Sequence, residues 1–384
     1  MFRHRLPSFT RGYSAVAYTD LLKSAKLNCS ELLSKHDRSS FVLAHYVPEP
    51  ARDCFLALRA FNLEIQKINN GGSNSKSVAS RASNQLSNTL GFTTADIKLK
   101  FWSDLLDRIF QDPHNDKDSI GEPIAILIRD CLREELPLDI SHFQTFLQTK
   151  KHNLRSNGFK TTDEICSYGE GTTSQLNYLL QAALLAPHIS PSAIHLLEYS
   201  TGLQSKLSDI AAHLGQATAI GSMIIGTGYY AAMRNQVTLP VDAMTQSDLS
   251  QEHVLRLFQG HLTKEKQPED YVSVREKLKE VVYQTAIIAN DHLLTANTKL
   301  ADVKEEIRAI VEENKGDKVL QNGWKRWSGG IPDALYLPFM IGIPTKLYLE
   351  RLEKQGFDLL SPKLQTKEWK LAWRSYRNYA KRVI

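Results

Sequence analysis

Polar side chains that could do chemistry recur at regular spacing in one apolar segment near the start of the chain. Arg59, Asn62 and Gln66 follow one another at i, i+3 and i+7, so they share one face of an α-helix. A guanidinium group and two amides on one face could border a binding site. They could equally form a solvated polar strip opposite the apolar stripe of the same helix.

We predict no catalytic residue, metal site or cofactor from the other reactive side chains. The sequence contains no CxxC pair, no HExxH motif, no P-loop and no serine or cysteine nucleophile motif. The cysteines are too far apart to suit a zinc site and are interpreted as reduced core or surface thiols. They are Cys29, Cys54, Cys131 and Cys166.

The elements that would position the polar face are helices. Apolar residues recur at helical spacing from Cys54 to Ile68, and Pro48 and Pro50 stand just before them, where a helix start tolerates proline. A polar, serine-rich segment at 69–89 is predicted to be a flexible loop. Strand-like alternation of useful length is absent, so the sequence predicts an all-α fold around one extended core. Comparable helical stretches cover 95–111, 121–135, 139–151, 161–186, 191–233, 271–314 and 334–355.

The first nineteen residues have the composition of a mitochondrial presequence. They contain Arg3, Arg5 and Arg11, several hydroxyl residues and no acid before Asp20. A long apolar core is missing, which argues against a secretory signal. Cleavage after Tyr13 is one interpretation of this segment, and an untidy basic tail on a cytosolic protein is the alternative.

The overall composition is that of a globular protein, with 42% hydrophobic and 23% charged residues among 384. The net charge of +5 suits an anionic membrane surface as well as it suits nucleic acid, so it does not distinguish them. Segment 210–233 is uncharged and long enough to span a bilayer. Its polar residues and glycines favour a central helix that is buried on all sides.

Two features in the C-terminal part suit a membrane surface. An uncharged segment at 334–345 contains or adjoins Trp324, Trp327, Tyr336 and Phe339, which would fit a membrane interface or an ordinary packed helix. A basic helix end follows and is interpreted first as a solvated tail and second as a contact for anionic lipid. Its cations are Lys370, Arg374, Arg377, Lys381 and Arg382.

Two segments resemble the squalene/phytoene synthase family. The first covers 37–41 (DRSSF) and 55–65 (FLALRAFNLEI), and in the family's enzymes it continues into an aspartate-rich motif. The two carboxylate positions of that motif fall here on Asn62 and Gln66. An amide keeps the shape of a carboxylate but supplies no charge, so the resemblance implies at best weak metal ligands. Glu64 points to roughly the opposite side of the helix and does not replace them.

The second segment runs from 214–220 (LGQATAI) to 239–242 (LPVD). The family's asparagine position falls on Ser222, its aspartate on Gly226 and its final acidic pair on Tyr229 and Tyr230. Glycine and tyrosine offer no anionic oxygen at neutral pH. The resemblance therefore implies that the carboxylates which hold Mg²⁺ in the family's enzymes are missing from both motifs.

A third segment points to one branch of the family. Residues 159–163 (FKTTD) and 168–174 (YGEGTTS) resemble the branch of mitochondrial respiratory complex I assembly factors, as do 97–102 (IKLKFW) and 348–352 (YLERL). Arginine and aspartate, common in the branch near the end of the 139–151 helix, appear here as Lys151 and Asn153. An arginine-rich stretch before the LP motif is reduced to Arg234. The resemblance extends over residues 37–358.

The resemblance implies a single isoprenoid-synthase-like helical bundle with a central cavity at 20–358, after a presequence at 1–19 and before a basic helical tail at 359–384. It implies a non-catalytic assembly factor for complex I on the matrix side of the inner membrane, in peripheral contact with it and without nucleic acid. An active Mg²⁺-dependent isoprenoid transferase and a lipid- or isoprenoid-binding protein are the alternatives. A residual pocket is expected at Arg59, Asn62, Gln66, Ser222, Gly226 and Tyr230.

Overall fold

The computed structural model describes residues 10–69, 93–115, 120–156 and 158–384. Within these ranges the chain is helical and contains no strand, which confirms the predicted all-α class. The first eight helices are α1 (Thr10–His36), α2 (Arg38–Leu43), α3 (Ala51–Lys67), α4 (Thr94–Gln111), α5 (Pro123–Arg133), α6 (Ile140–Arg155), α7 (Thr162–Gly169) and α8 (Gln175–Leu184). The others are α9 (Pro191–Glu198), α10 (Thr201–Arg234), α11 (Val241–Gln246), α12 (Gln251–Phe258), α13 (Pro268–Glu313), α14 (Lys318–Trp324), α15 (Asp333–Tyr336), α16 (Gly342–Lys354) and α17 (Leu371–Lys381).

Two long helices, α10 and α13, pack against each other and form the centre of the fold. α10 begins after Ser200, whose side-chain oxygen accepts a hydrogen bond from the backbone N–H of Leu203. It ends at Asn235, which adopts the left-handed conformation that asparagine tolerates at a helix end. These signals divide the predicted 191–233 stretch, because the chain leaves helical geometry at Ser200 and α9 is separate.

A single π-helical turn (Glu170–Ser174) connects α7 to α8 and lies directly on α10. The Ser174 hydroxyl donates a hydrogen bond to the carbonyl oxygen of Ala211 at 3.1 Å. This approach depends on glycine, because a Cβ at Gly215 would lie 2.8 Å from the Ser174 backbone nitrogen. A Cβ at Gly169 would likewise lie 2.6 Å from the Gly215 carbonyl oxygen.

Aromatic packing fixes α3 against α4 and α6. The Phe61 ring lies at the centre of this cluster, with its centroid 5.2 Å from that of Trp102, 5.4 Å from Phe143 and 5.5 Å from Phe146. Phe61 is fully buried, so the helix that carries the first motif has a fixed position relative to α6. The predicted apolar stripe from Cys54 to Ile68 forms this buried face, and the four cysteines are buried and free.

The expectation that segment 210–233 is buried on all sides is wrong in part. Residues 210–221 include no exposed residue, because the π-helical turn and α7 pack on this part of α10 as far as Ala219. Beyond that point Ile225, Tyr229 and Met233 are more than half exposed. Among the helices of the described ranges, none combines the length and apolar character required to cross a membrane.

For the C-terminal aromatic residues the sequence left two interpretations open, a membrane interface and an ordinary packed helix. Tyr336 and Phe339 are fully buried and Trp324 is half-buried, so they belong to packed structure and not to a membrane interface. The basic segment after residue 359 is not a fully solvated tail, because one side of it packs on the rest of the chain. The Tyr336 hydroxyl lies 2.9 Å from the carbonyl oxygen of Asn378 and 2.8 Å from that of Val383, which holds this segment on the body.

The N-terminal prediction is tested only in part. Residues 1–9 and most of the predicted loop, 70–89, lie outside the described residues. The end of the predicted presequence falls inside α1, which runs on to His36 and packs on α3 and α5. The predicted domain boundaries at residues 19 and 358 therefore stay predictions.

Candidate functional site

A cleft of about 840 Å³ opens where the C-terminal ends of α3, α6 and α10 meet. Its described lining contains aromatic, amide and basic side chains and no carboxylate. The basic members are His36, Lys67, Lys150 and Arg234, of which Lys67 pairs with Glu64 at 2.6 Å. Lys150 and Arg234 therefore give the cleft a positive lining, which suits an anion and opposes a divalent cation.

Lys150, on α6, provides a buried cation at the wall of this cleft. Only 6% of the residue is exposed, and burial lowers the pKa of its ammonium group to about 8. The Lys150 Nζ atom donates to Gln66 Oε1 at 3.2 Å, and no ion pair with a described carboxylate accompanies that bond. A buried ammonium group with only an amide acceptor is incompletely compensated.

Gln66 links Lys150 to Tyr168 across the cleft wall. The Tyr168 hydroxyl lies 3.0 Å from Gln66 Nε2 and 3.1 Å from Gln66 Oε1. Burial raises the pKa of Tyr168, so its hydroxyl stays protonated and remains a donor. Gln66 is thus held by two partners and is not part of a solvated strip.

Arg59 belongs to a different environment. Its Nε atom donates to the Ser40 hydroxyl at 2.8 Å, and its Nη2 atom lies 3.5 Å from Asp37 Oδ2. The residue is 8% exposed and borders a narrow apolar pocket beside α8 and residues 337–341, away from the cleft. Arg59 therefore ties α3 to the start of α2, and its described polar partners are Ser40 and Asp37.

The second motif reaches the cleft at its last two positions. Tyr229 and Tyr230 both line it, and burial raises the pKa of the Tyr230 hydroxyl. Ser222 is exposed and donates to the Thr218 carbonyl oxygen of its own helix at 2.7 Å. A Cβ at Gly226 would lie 2.9 Å from the Tyr230 ring, so that ring fills the space beside the glycine.

Of the six expected pocket residues, the structure places Gln66 and Tyr230 on the cleft. Arg59, Asn62, Ser222 and Gly226 are not among its described lining residues. The described residues also contain no group of three histidine, cysteine, aspartate or glutamate side chains that could hold a metal ion.

Comparison with known proteins identifies the family to which this chain belongs. The sequence model of squalene/phytoene synthase matches residues 33–374, which is most of the chain. The chain belongs to the squalene/phytoene synthase family.

Solved structures agree with this membership at the level of the fold. The squalene synthase HpnC from Alicyclobacillus acidocaldarius superposes with a TM-score of 0.55 at 9% identity, over 88% of this chain and 96% of that one. A dehydrosqualene synthase in complex with ligand gives 0.55 at 12% identity, over 94% and 97%. At such identities the likeness concerns the fold alone.

Curated relatives in this family carry another name. The bovine (Bos taurus) protein called NADH dehydrogenase (ubiquinone) complex I, assembly factor 6, is 25% identical over 342 residues, covering 88% of this chain and 77% of its own. The Mus musculus protein of that name is 23% identical over 364 residues, covering 94% and 84%. The Drosophila melanogaster homolog is 21% identical over 330 residues, covering 86% and 76%.

Lys150 lines the cleft but was not predicted from the sequence as a site residue. A usable signal was present, because Phe143, Phe146, Leu147 and Lys150 stand at i, i+3, i+4 and i+7 on α6. A lysine in the last position of an apolar stripe is either a misfit or a functional cation. Tyr168 and Arg234 were noted as motif residues, but nothing in the sequence indicated that they meet Gln66 and Tyr230 at one cleft.

Proposed function

We propose that this chain is a non-catalytic assembly factor for mitochondrial respiratory complex I. It would act on the matrix side of the inner membrane, in peripheral contact with that membrane, and bind complex I subunits or assembly intermediates. The observation that carries the proposal is the positive lining of the cleft, which shows no described carboxylate. The names of the bovine, murine and fly relatives support the assignment to complex I.

The chemistry of the family's enzymes explains why this lining argues against catalysis. Departure of a diphosphate group requires neutralisation of several negative charges, which Mg²⁺ held by carboxylates supplies. Here Gln66 offers an amide oxygen that already accepts from Lys150 at 3.2 Å. A protonated Lys150 at that distance repels a divalent cation, so the site opposes the metal that the reaction needs.

A clean deletion of the gene tests the proposal. We expect assembled complex I to be depleted on native gels while cellular isoprenoid levels are unchanged. A deletion strain with normal complex I contradicts the assembly role. Mg²⁺-dependent turnover of farnesyl or geranylgeranyl diphosphate by the purified chain contradicts the non-catalytic part and favours the transferase alternative.

The cleft itself favours a second candidate function, which is binding of a lipid or isoprenoid without turnover. A volume of about 840 Å³ is large enough for a sizeable ligand, and Lys150 supplies a buried cation for an anionic head group. Native mass spectrometry of protein purified from mitochondria would detect an occupant. Calorimetry with farnesyl diphosphate in EDTA, repeated with Lys150→Gln, tests the role of the cation, and absence of heat in both removes this candidate.

A further inference from the structure

The C-terminal helix α17 and the turn before it expose three large aromatic side chains, which together form an aromatic face. Trp369, in the turn, is 80% exposed, while Trp373 and Tyr376, three residues apart on α17, are 60% and 65% exposed. The opposite face of the helix, with Leu371, is buried against the body. Packing within the chain therefore accounts for one face of α17 and leaves the aromatic face without an intramolecular role.

Unpaired cations surround this aromatic face. Residues 359–384 contain seven basic side chains and one acidic side chain. Arg374 pairs with Glu350 at 2.6 Å and Arg382 pairs with Asp333, but the remaining five cations form no ion pair with any described carboxylate. Two of them lie against the aromatic rings, since the Arg377 Cζ atom is 5.6 Å from the Trp373 centroid and Lys370 Nζ is 5.4 Å from that of Trp369.

A small cleft of about 150 Å³ beside Trp369 adds to this positive charge. Its lining includes Lys354, Lys367 and Lys370. Its two carboxylates already have partners, because Glu350 pairs with Arg374 and Glu368 lies 3.8 Å from Arg351. Three lysines around one cleft provide a place for a phosphate group directly next to the aromatic face.

We propose that this aromatic face docks the protein onto an anionic lipid bilayer. Tryptophan and tyrosine favour the headgroup layer, where an apolar ring and a polar edge are both accommodated. The flanking lysines and arginine attract the negative surface, and the cleft beside Trp369 receives one lipid phosphate. Lysine is depleted at protein–protein interfaces, so a surface rich in lysine favours lipid over a protein partner.

This inference identifies the surface that would make the membrane contact of the proposed function, and it rests on that function only in requiring that the protein meets a membrane. The test uses the full chain and vesicles of phosphatidylcholine, with or without phosphatidylglycerol, in a co-sedimentation assay. We expect binding to the mixed vesicles, little binding to phosphatidylcholine alone, and weaker binding at higher ionic strength.

Two variants separate the contributions of charge and aromatic rings. Lys370→Gln with Arg377→Gln should weaken binding about 25-fold, at roughly fivefold for each cation near the surface. The matched control is Lys264→Gln with Lys318→Gln, which removes two exposed cations elsewhere and should bind like wild type. Trp369→Ala with Trp373→Ala should weaken binding about tenfold or more.

Ile97→Ala with Phe101→Ala is the control for the aromatic variant, because these residues are 62% and 53% exposed on α4. Wild-type binding that is absent, equal for both vesicle types, or unchanged in the α17 variants overturns the inference. Circular dichroism melts confirm that each variant is folded, since the buried face of α17 is untouched. Complex I levels in a strain carrying each variant are scored separately, so loss of vesicle binding and loss of the assembly role are distinguishable.

Discussion

Replacement of Lys150 by methionine is expected to stabilise the protein. Burial lowers the pKa of Lys150 from 10.5 to about 8. At about 1.4 kcal/mol for each pH unit, the cost of keeping this ammonium group in the fold is roughly 3 kcal/mol at pH 7. Methionine has a similar length and no charge, and Gln66 Oε1 retains the Tyr168 hydroxyl at 3.1 Å. The variant should therefore gain roughly 1–3 kcal/mol in the free energy of unfolding.

The pH dependence makes this prediction specific. The unfolded chain binds a proton at Lys150 up to about pH 10.5, whereas the folded chain binds it only up to about pH 8. The unfolded state therefore holds more protons between these values, so wild-type stability rises with pH across that window. The advantage of Lys150→Met should fall to about half near pH 9.5.

Urea unfolding followed by circular dichroism at pH 7 and at about pH 9.5 measures this difference. Lys151→Met is the matched control, because Lys151 is the next residue on α6 and is exposed. It should change stability little at either pH. A Lys150→Met protein that is less stable than wild type, or whose advantage is the same at both pH values, refutes the reasoning about the uncompensated cation.

Three further predictions concern the body of the fold. Gly215→Ala should lower stability by about 2–3 kcal/mol in urea unfolding, because the new Cβ meets the Ser174 backbone; an unchanged midpoint contradicts the close packing. Burial lowers the pKa of His213 and His292, so stability should fall below about pH 6.5, where only the unfolded state protonates them, and less so in His213→Gln. Tyr336→Phe should cost about 1–2 kcal/mol, measured as a lower thermal midpoint, because two carbonyl oxygens lose the hydroxyl.

Helical periodicity was sufficient to predict the class of the fold and most of its helices. Such local signals do not predict the structure of segments whose conformation depends on tertiary contacts. The π-helical turn at Glu170–Ser174 reads as continuous helix in sequence, and only the approach of Gly215 on α10 explains its position. The exposed face of α17 could not be predicted either, because the spacing of Trp373 and Tyr376 does not reveal which face of the helix packs on the rest of the chain.

The sequence predicted two of the residues that line the cleft, Gln66 and Tyr230, but not which other residues surround them. Arg59 and Gln66 share a helix and are seven residues apart, yet one points to Asp37 and the other to the cleft. Helical periodicity predicts that residues two turns apart lie on the same face of a helix. Different neighbouring helices can nevertheless cover the two ends of that face, so the two residues have different surroundings. Lys150 is distant in sequence from both, so only the fold shows that it meets Gln66.

The Tyr230 ring beside Gly226 limits which side chains position 226 can hold. A Cβ at position 226 would lie 2.9 Å from that ring, so Gly226→Asp requires the tyrosine to move or to be replaced first. At the facing helix, Gln66→Glu would place its carboxylate against the Lys150 ammonium and form an ion pair instead of an open ligand. Neither single substitution would provide a free acid, so a carboxylate site between these two positions would require further changes in the neighbouring side chains.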